Sequence, residues 1–206
     1  MLTIWGRVNS INVQKVLWTV HELGLPFTRI DAGGAFGVTD TPDYARMNPN
    51  RTVPTINDDG FVLWESNAIT RYLAARHGPG KLWPQDLRER ADVDRWMDWQ
   101  ATEFSAVMRN AFLELVRKPE ADRNAERIAT SVRLSNQRAQ VLDGALAGHA
   151  WLTGDALTLA DIAVGCAAHR WLLLPIDHPD TPNITDWMTR LRTRAAAQKV
   201  LPQTLS

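Results

Sequence analysis

Arg51-Thr52-Val53-Pro54-Thr55-Ile56, followed by Val62-Leu63-Trp64-Glu65-Ser66-Asn67-Ala68-Ile69, decides the fold of this chain. A proline enters a short apolar run, and a Glu-Ser pair opens a helix directly after the next run. Pro54 has no N–H to give to a ladder, which suits the start or edge of a strand, and it is a candidate for a cis bond that turns the Val53 backbone outward. Val53 could then pair with an extended peptide as a neighbouring strand would. Glu65 and Ser66 stand where the N–H groups of a helix start lack partners, so a carboxylate and an ammonium group could both be held there. The pattern is that of a site for a small zwitterion.

Around this segment the first eighty or so residues alternate strand-like and helix-like patterns. Leu2 to Trp5 reads as a short strand, and Ser10 to Gly24 as a helix with Val13, Val16, Leu17 and Val20 on one face and Gly24 as its stop. Pro26 to Asp31 reads as a second strand and Asp40 to Met47 as a short helix. Thr55 to Asn57 and Phe61 to Leu63 form a hairpin about Asp58-Asp59-Gly60. Ala68, Ile69, Tyr72 and Leu73 continue as a helix to His77, which Gly78-Pro79-Gly80 ends. The order is βαβ, then α, then ββα.

Beyond Pro84 the spacing is helical throughout. Val93, Trp96, Met97, Phe104, Val107, Met108, Ala111, Phe112 and Leu115 mark one face of a long helix ended by Pro119, and Ile128, Val132, Ser135, Ala139, Leu142 and Leu146 mark another. Thr158-Leu159-Ala160-Asp161 opens a further helix, with Asp161 as the acidic group of an N-capping segment. The expected organisation is an α/β domain over 1–79 and an all-helical domain over 87–206, with a linker over 80–86 in the Gly- and Pro-rich stretch that begins at residue 78. The apolar faces of 87–118 are long enough to suggest cover by a second copy.

Composition excludes several function classes. The chain has 206 residues, 45% hydrophobic and 22% charged, enough to bury a sizeable core. Lys+Arg 23 balances Asp+Glu 23, so no overall field draws nucleic acid or an anionic membrane. The first residues are too briefly apolar for a signal peptide and no run approaches a membrane span. Cys166 is the single cysteine, which rules out an internal disulfide framework or a CxxC pair and fits a reducing cytosol. It lies on an apolar face as a buried, inert thiol. Histidines 21, 77, 149, 169 and 178 show no metal-ligand spacing, and Gly33-Gly34 is no phosphate cradle.

Val53-Pro54, Glu65-Ser66-Asn67-Ala68-Ile69, Ser10-Ile11-Asn12-Val13-Gln14-Lys15 and Leu157-Thr158-Leu159-Ala160-Asp161 occur in an order and spacing that resemble the cytosolic glutathione transferases, over nearly the whole chain. The resemblance implies a thioredoxin-like N-terminal domain with a cis-proline, an all-helical C-terminal domain, glutathione as co-substrate, a small hydrophobic electrophile and a homodimer. It also implies that Ser66 and the Glu65 carboxylate hold the γ-glutamyl group while Val53 gives backbone bonds to the cysteinyl unit beside Pro54. Arg51 and Thr52 depart from the family, where glycine and then glutamine or lysine are common. Arg51 is therefore either the partner of the glycyl carboxylate or a solvated loop residue.

The chemistry such a site must perform is the stabilisation of a thiolate, because a free thiol with pKa near ~8.5 is only a few per cent ionised at neutral pH. Ser10, between the first strand and the first helix, is a candidate donor to the sulfur and equally an N-cap. Asn12, whose side-chain amide can donate as well, is the rival. Tyr44 and Tyr72 lie away from that junction. Trp96, Trp99, Phe104, Met108, Phe112 and Trp171 are candidates for an electrophile pocket, although at helical spacing most such residues are core. Three functions follow: a transferase acting on apolar electrophiles, a glutathione-dependent disulfide reductase or peroxidase of the same fold, and a non-enzymatic interaction module. The presence of Ser10, Asn12, Glu65 and Ser66 argues against the last, which needs none of them.

Overall fold

Leu2, Ile4 and Ile56 are buried at alternate positions, as two adjacent strands with one face on a core require. In the computed structural model, which describes all residues from Met1 to Ser206, these strands lie at the centre of a four-stranded sheet. Its strands are β1 (Leu2–Trp5), β2 (Phe27–Ile30), β3 (Thr55–Asp58) and β4 (Phe61–Trp64), in the order β2-β1-β3-β4. β1 runs parallel to β2 and antiparallel to β3, and β3 is antiparallel to β4. The β3–β4 loop is Asp59-Gly60, both at positive φ (51° and 94°), the two-residue turn that follows the twist of a hairpin. The Asn57 Oδ1 accepts from the Gly60 N–H at 2.7 Å.

Three helices complete this unit, which spans Met1–Gln85: α1 (Ile11–Leu23), α2 (Pro42–Met47) and α3 (Ser66–His77). α1 buries Val13, Val16, Leu17 and Val20, and α3, packed on α1, buries Ile69, Leu73 and Ala74. Gly6, just after β1, lets α1 lie close against the end of that strand, since a Cβ there would lie 2.4 Å from a Val13 methyl. The division between this unit and the next, after Gln85, falls within the stretch 80–86 expected as a linker. The Gly80 N–H donates to the Trp83 carbonyl at 3.2 Å, and Leu82 and Trp83 are buried. Two large apolar side chains within the Gly/Pro stretch give it a reason to pack rather than to span.

The second unit, Asp86–Ser206, is entirely helical. It comprises α4 (Leu87–Trp99), α5 (Ser105–Phe112), α6 (Ala125–Leu146), α7 (Leu159–Leu173), α8 (Pro182–Arg192) and α9 (Ala195–Gln198). A π turn at Gln100–Phe104 joins α4 to α5 and another at Leu113–Arg117 follows α5, so the long helix read from the sequence is continuous but twice widened to i→i+5 bonding. α7 is buried on nearly every side, consistent with its run of Ala, Val, Ile and Leu, and carries the buried Cys166. At its start Asp161 accepts hydrogen bonds from the Thr158 N–H and hydroxyl, the Leu152 N–H and the Trp187 indole. Burial pushes its carboxyl pKa up, and those four donors pull against it. The capping segment thus also ties α7 to α8. No helix is long and apolar enough to cross a membrane.

Candidate functional site

The register of the sheet builds the site. Trp5 pairs with Ile30 on one side and with Thr55 on the other, and Thr55 pairs with Trp64. The segments that leave β1 and β2, enter β3 and leave β4 therefore meet at one end of the sheet. They contain Ser10, the loop from Asp31, Val53-Pro54, and Glu65-Ser66 respectively.

Ser10 precedes α1 in extended backbone (φ −88°, ψ 121°) and its carbonyl accepts from the Gln14 N–H at 2.9 Å. Its hydroxyl makes no capping bond. The half-buried side chain is left at the positive end of the helix, whose partial charge of about half a unit favours an anion. The loop ahead of it is fixed by the Gln14 side-chain amide, which donates to the Val8 carbonyl at 2.9 Å.

Ser66 is the first residue of α3 and is buried, and its hydroxyl donates to Asn12 Oδ1 at 3.3 Å. One turn on, Lys15 Nζ donates to Asn67 Oδ1 at 2.9 Å, although Lys15 is only 2% exposed. These two contacts bring the N-termini of α1 and α3 together, so two helix dipoles present their positive ends to the same place. Glu65, exposed and at φ 71°, stands immediately before α3. A non-glycine residue in that region costs on the order of 1–3 kcal/mol, a cost that recurs at ligand-binding positions.

Val53-Pro54 is a cis peptide, with Pro54 buried and Val53 half-buried. A Cβ on Gly33 would lie 3.3 Å from both Val53 methyls, so the loop after β2 closes against Val53. Arg51 is exposed, at φ 52°, with its guanidinium 3.9 Å from Asp40, a contact that water screens. The Thr52 carbonyl points the other way, into the unit, where it accepts from Tyr44 Oη at 2.7 Å and Asn48 Nδ2 at 2.9 Å. Thr55 Oγ1 joins the same pair, 2.8 Å from Tyr44 Oη and 3.1 Å from Asn48 Nδ2. Burial pushes the Tyr44 phenol above its usual 10.0, partly offset by its hydrogen bonds to Thr55 and Asn48, so it is a protonated donor at neutral pH. The sequence passes over this trio. Only the i, i+4 spacing of Tyr44 and Asn48 hints at it.

Of the residues considered for an electrophile pocket, Phe104, Met108 and Trp171 are fully buried and Phe112 nearly so. Trp96, Trp99, Phe104 and Trp171 form a chain of ring contacts at 5.2, 5.4 and 6.4 Å within the helical unit. They are mainly core. No three His, Cys, Asp or Glu side chains gather where a metal could be held.

Residues 9–76 match the family model described as Glutathione S-transferase, N-terminal domain, and residues 104–195 match that of the C-terminal domain. Glutathione S-transferase GstB of Escherichia coli K12 is 39% identical over 203 residues, 98% of each protein. The crystal structure of a theta class glutathione S-transferase from Xanthomonas axonopodis pv. citri, with glutathione bound, is similar at 46% identity and a TM-score of 0.96, covering 100% of this chain and 99% of that one. Glutathione transferase F7 of Populus trichocarpa, at 22% identity and a TM-score of 0.86, shares the fold over 97% of each chain.

Proposed function

Because this chain belongs to the glutathione transferase family, and like it uses the thiol of glutathione as nucleophile towards electrophiles, we propose that glutathione lies across the end of the sheet with its sulfur at Ser10. The observation that carries the reading is the Ser10 hydroxyl, placed at a helix N-terminus and not engaged in capping it. A donor in that position stabilises the thiolate without itself losing a proton. One charge-assisted hydrogen bond contributes roughly 1.5–3 kcal/mol, about one to two pKa units, which converts a thiol of a few per cent ionisation into one roughly a quarter to three quarters ionised at pH ~7.

The γ-glutamyl end goes to Glu65 and Ser66, where the carboxylate meets the α3 N-terminus and the ammonium meets Glu65. The cysteinyl unit pairs with the Val53 backbone beside Pro54, and the exposed Arg51, next to Thr52, supplies the positive charge for the glycyl carboxylate. Asn12 is the second donor: its Oδ1 accepts from Ser66, which leaves Nδ2 to turn towards the sulfur. A small apolar electrophile then takes the sulfur lone pair, its leaving group departs with the bonding electrons, and the product is a thioether. The enzyme works as a homodimer.

Titration of bound glutathione by ultraviolet absorbance tests the assignment. Ser10→Ala raises the bound thiol pKa by about one to two units and lowers turnover near neutral pH by a similar number of decades, with glutathione affinity at low pH retained. The same pattern in Asn12→Ala and not in Ser10→Ala transfers the role to Asn12. An unshifted pKa with only a stability loss of roughly 0.5–2 kcal/mol would make Ser10 a helix cap and nothing more.

A further inference from the structure

We propose that Tyr44 and Asn48 are positioning residues for glutathione: by gripping the Thr52 carbonyl from inside the unit, they aim the Val53 N–H at the cysteinyl unit. The inference rests on the binding mode above and extends it to residues that do not touch the ligand. The bond between Thr52 and Val53 is trans, the cis bond being the next one, so its C=O and N–H lie in one plane and point in opposite directions. With the carbonyl drawn inward by two donors, the N–H of the same peptide faces outward.

The proton count shows how completely the grip is determined. Thr52 O can only accept, so the single Tyr44 hydroxyl proton goes to it at 2.7 Å. The Thr55 hydroxyl must then donate to Tyr44 Oη and itself accept from Asn48 Nδ2, whose other proton goes to Thr52 O. The two hydroxyl protons each have one destination, and Tyr44, Asn48 and Thr55 are each at most 1% exposed. Two more contacts hold the approach to Thr52: Asn48 Oδ1 accepts from the Asn50 N–H and the Asn48 carbonyl from the Arg51 N–H, both at 3.0 Å. A satisfied buried network of this kind admits one arrangement, and that arrangement orients the peptide a ligand would pair with.

Tyr44→Phe removes one of the two donors while keeping the buried ring, and Tyr72→Phe is the matched control. Tyr72 loses a hydroxyl bond to Asp58 Oδ2 (2.9 Å) in the same unit, away from Thr52. Steady-state kinetics with glutathione and a chlorinated aromatic, together with melting temperatures, are measured on both. Tyr44→Phe is expected to raise KM for glutathione by roughly tenfold, with kcat at saturation and the bound thiol pKa at wild-type values. Tyr72→Phe is expected to lower the melting temperature and leave KM within about twofold. An unchanged KM in Tyr44→Phe, or an equal rise in both variants, overturns the positioning role while leaving the binding mode standing. A wild-type enzyme that shows no saturation by glutathione overturns the binding mode and this inference together.

Discussion

A serine hydroxyl at a helix start ordinarily turns back onto the first turn, and Ser10 and Ser66 both depart from that habit. Ser10 makes no capping bond, and the Ser66 hydroxyl reaches across to Asn12. Neither hydroxyl closes on the helix it opens. For Ser66 the consequence is measurable. The single Ser66 hydroxyl proton turns from Asn12 Oδ1 to the γ-glutamyl carboxylate on binding, so Ser66→Ala leaves that carboxylate short of a donor and calorimetry is expected to show a loss of roughly 1.5–3 kcal/mol in glutathione binding, about one to two decades. Unchanged affinity would remove Ser66 from the site. Each of these residues is legible in the sequence as a member of a local motif, but the bond between Ser66 and Asn12 is not. They lie 54 positions apart, and only the packing of α1 on α3 brings them together.

At the scale of elements, the joint between the π turn at Leu113–Arg117 and α6 hangs on one buried carboxylate. Glu114 accepts from Lys118 Nζ at 2.8 and 3.0 Å and from the N–H of Asn124, the cap of α6, at 2.9 Å. Lys118, then the Asn124 N–H, hold the carboxyl below its usual 4.5. The unfolded chain therefore binds a proton more readily than the folded one below that value. The joint's stabilisation is present above pH 4.5 and is lost as pH falls through the lower folded pKa. Glu114→Gln is expected to melt earlier than wild type at neutral pH, with the gap closing as pH falls below 4.5 and through the lower folded pKa. Circular-dichroism melts in which the gap stays constant would show that the charge on Glu114 contributes nothing. The hairpin, the capped α7 and the α/β-then-helical order are readable in the sequence because apolar period, turn residues and caps are local. The π turns, the Glu114 joint and the Tyr44–Asn48–Thr55 network are not, since each depends on pairings or packing between elements. The Gly/Pro stretch over 80–86 reads as a linker from its local composition, and the burial of Leu82 and Trp83 within it depends on packing that composition does not show.

At the scale of the whole molecule, the argument for assembly from the apolar faces is joined by a second, from the sheet. Much of the apolar face of residues 87–118, which suggested cover by another copy, is buried within the chain itself, with Val93, Met97, Phe104, Met108 and Ala111 each at most 1% exposed, while Trp96, Val107 and Leu115 stay half-buried and Leu87 is 77% exposed. One edge of the sheet also stays uncovered. β4 pairs only with β3, and Phe61 and Trp64 on it are 48% and 36% exposed. An open apolar edge invites pairing or association unless charge, a bulge or a partner blocks it. A C₂ homodimer that sets the α/β unit of one chain against the helical unit of the other would cover this edge and repeat the same contact twice, as an isologous interface does. Light scattering at micromolar concentration is then expected to give twice the 23.1 kDa of one chain, and Trp64→Lys, which places a charge on the edge, to shift the particle towards the monomer. A 23.1 kDa wild-type particle would refute the dimer outright. A dimer untouched by Trp64→Lys would place the interface on another face and leave the β4 edge to be guarded by its own shortness, four residues closed at one end by a tight turn and at the other by Glu65.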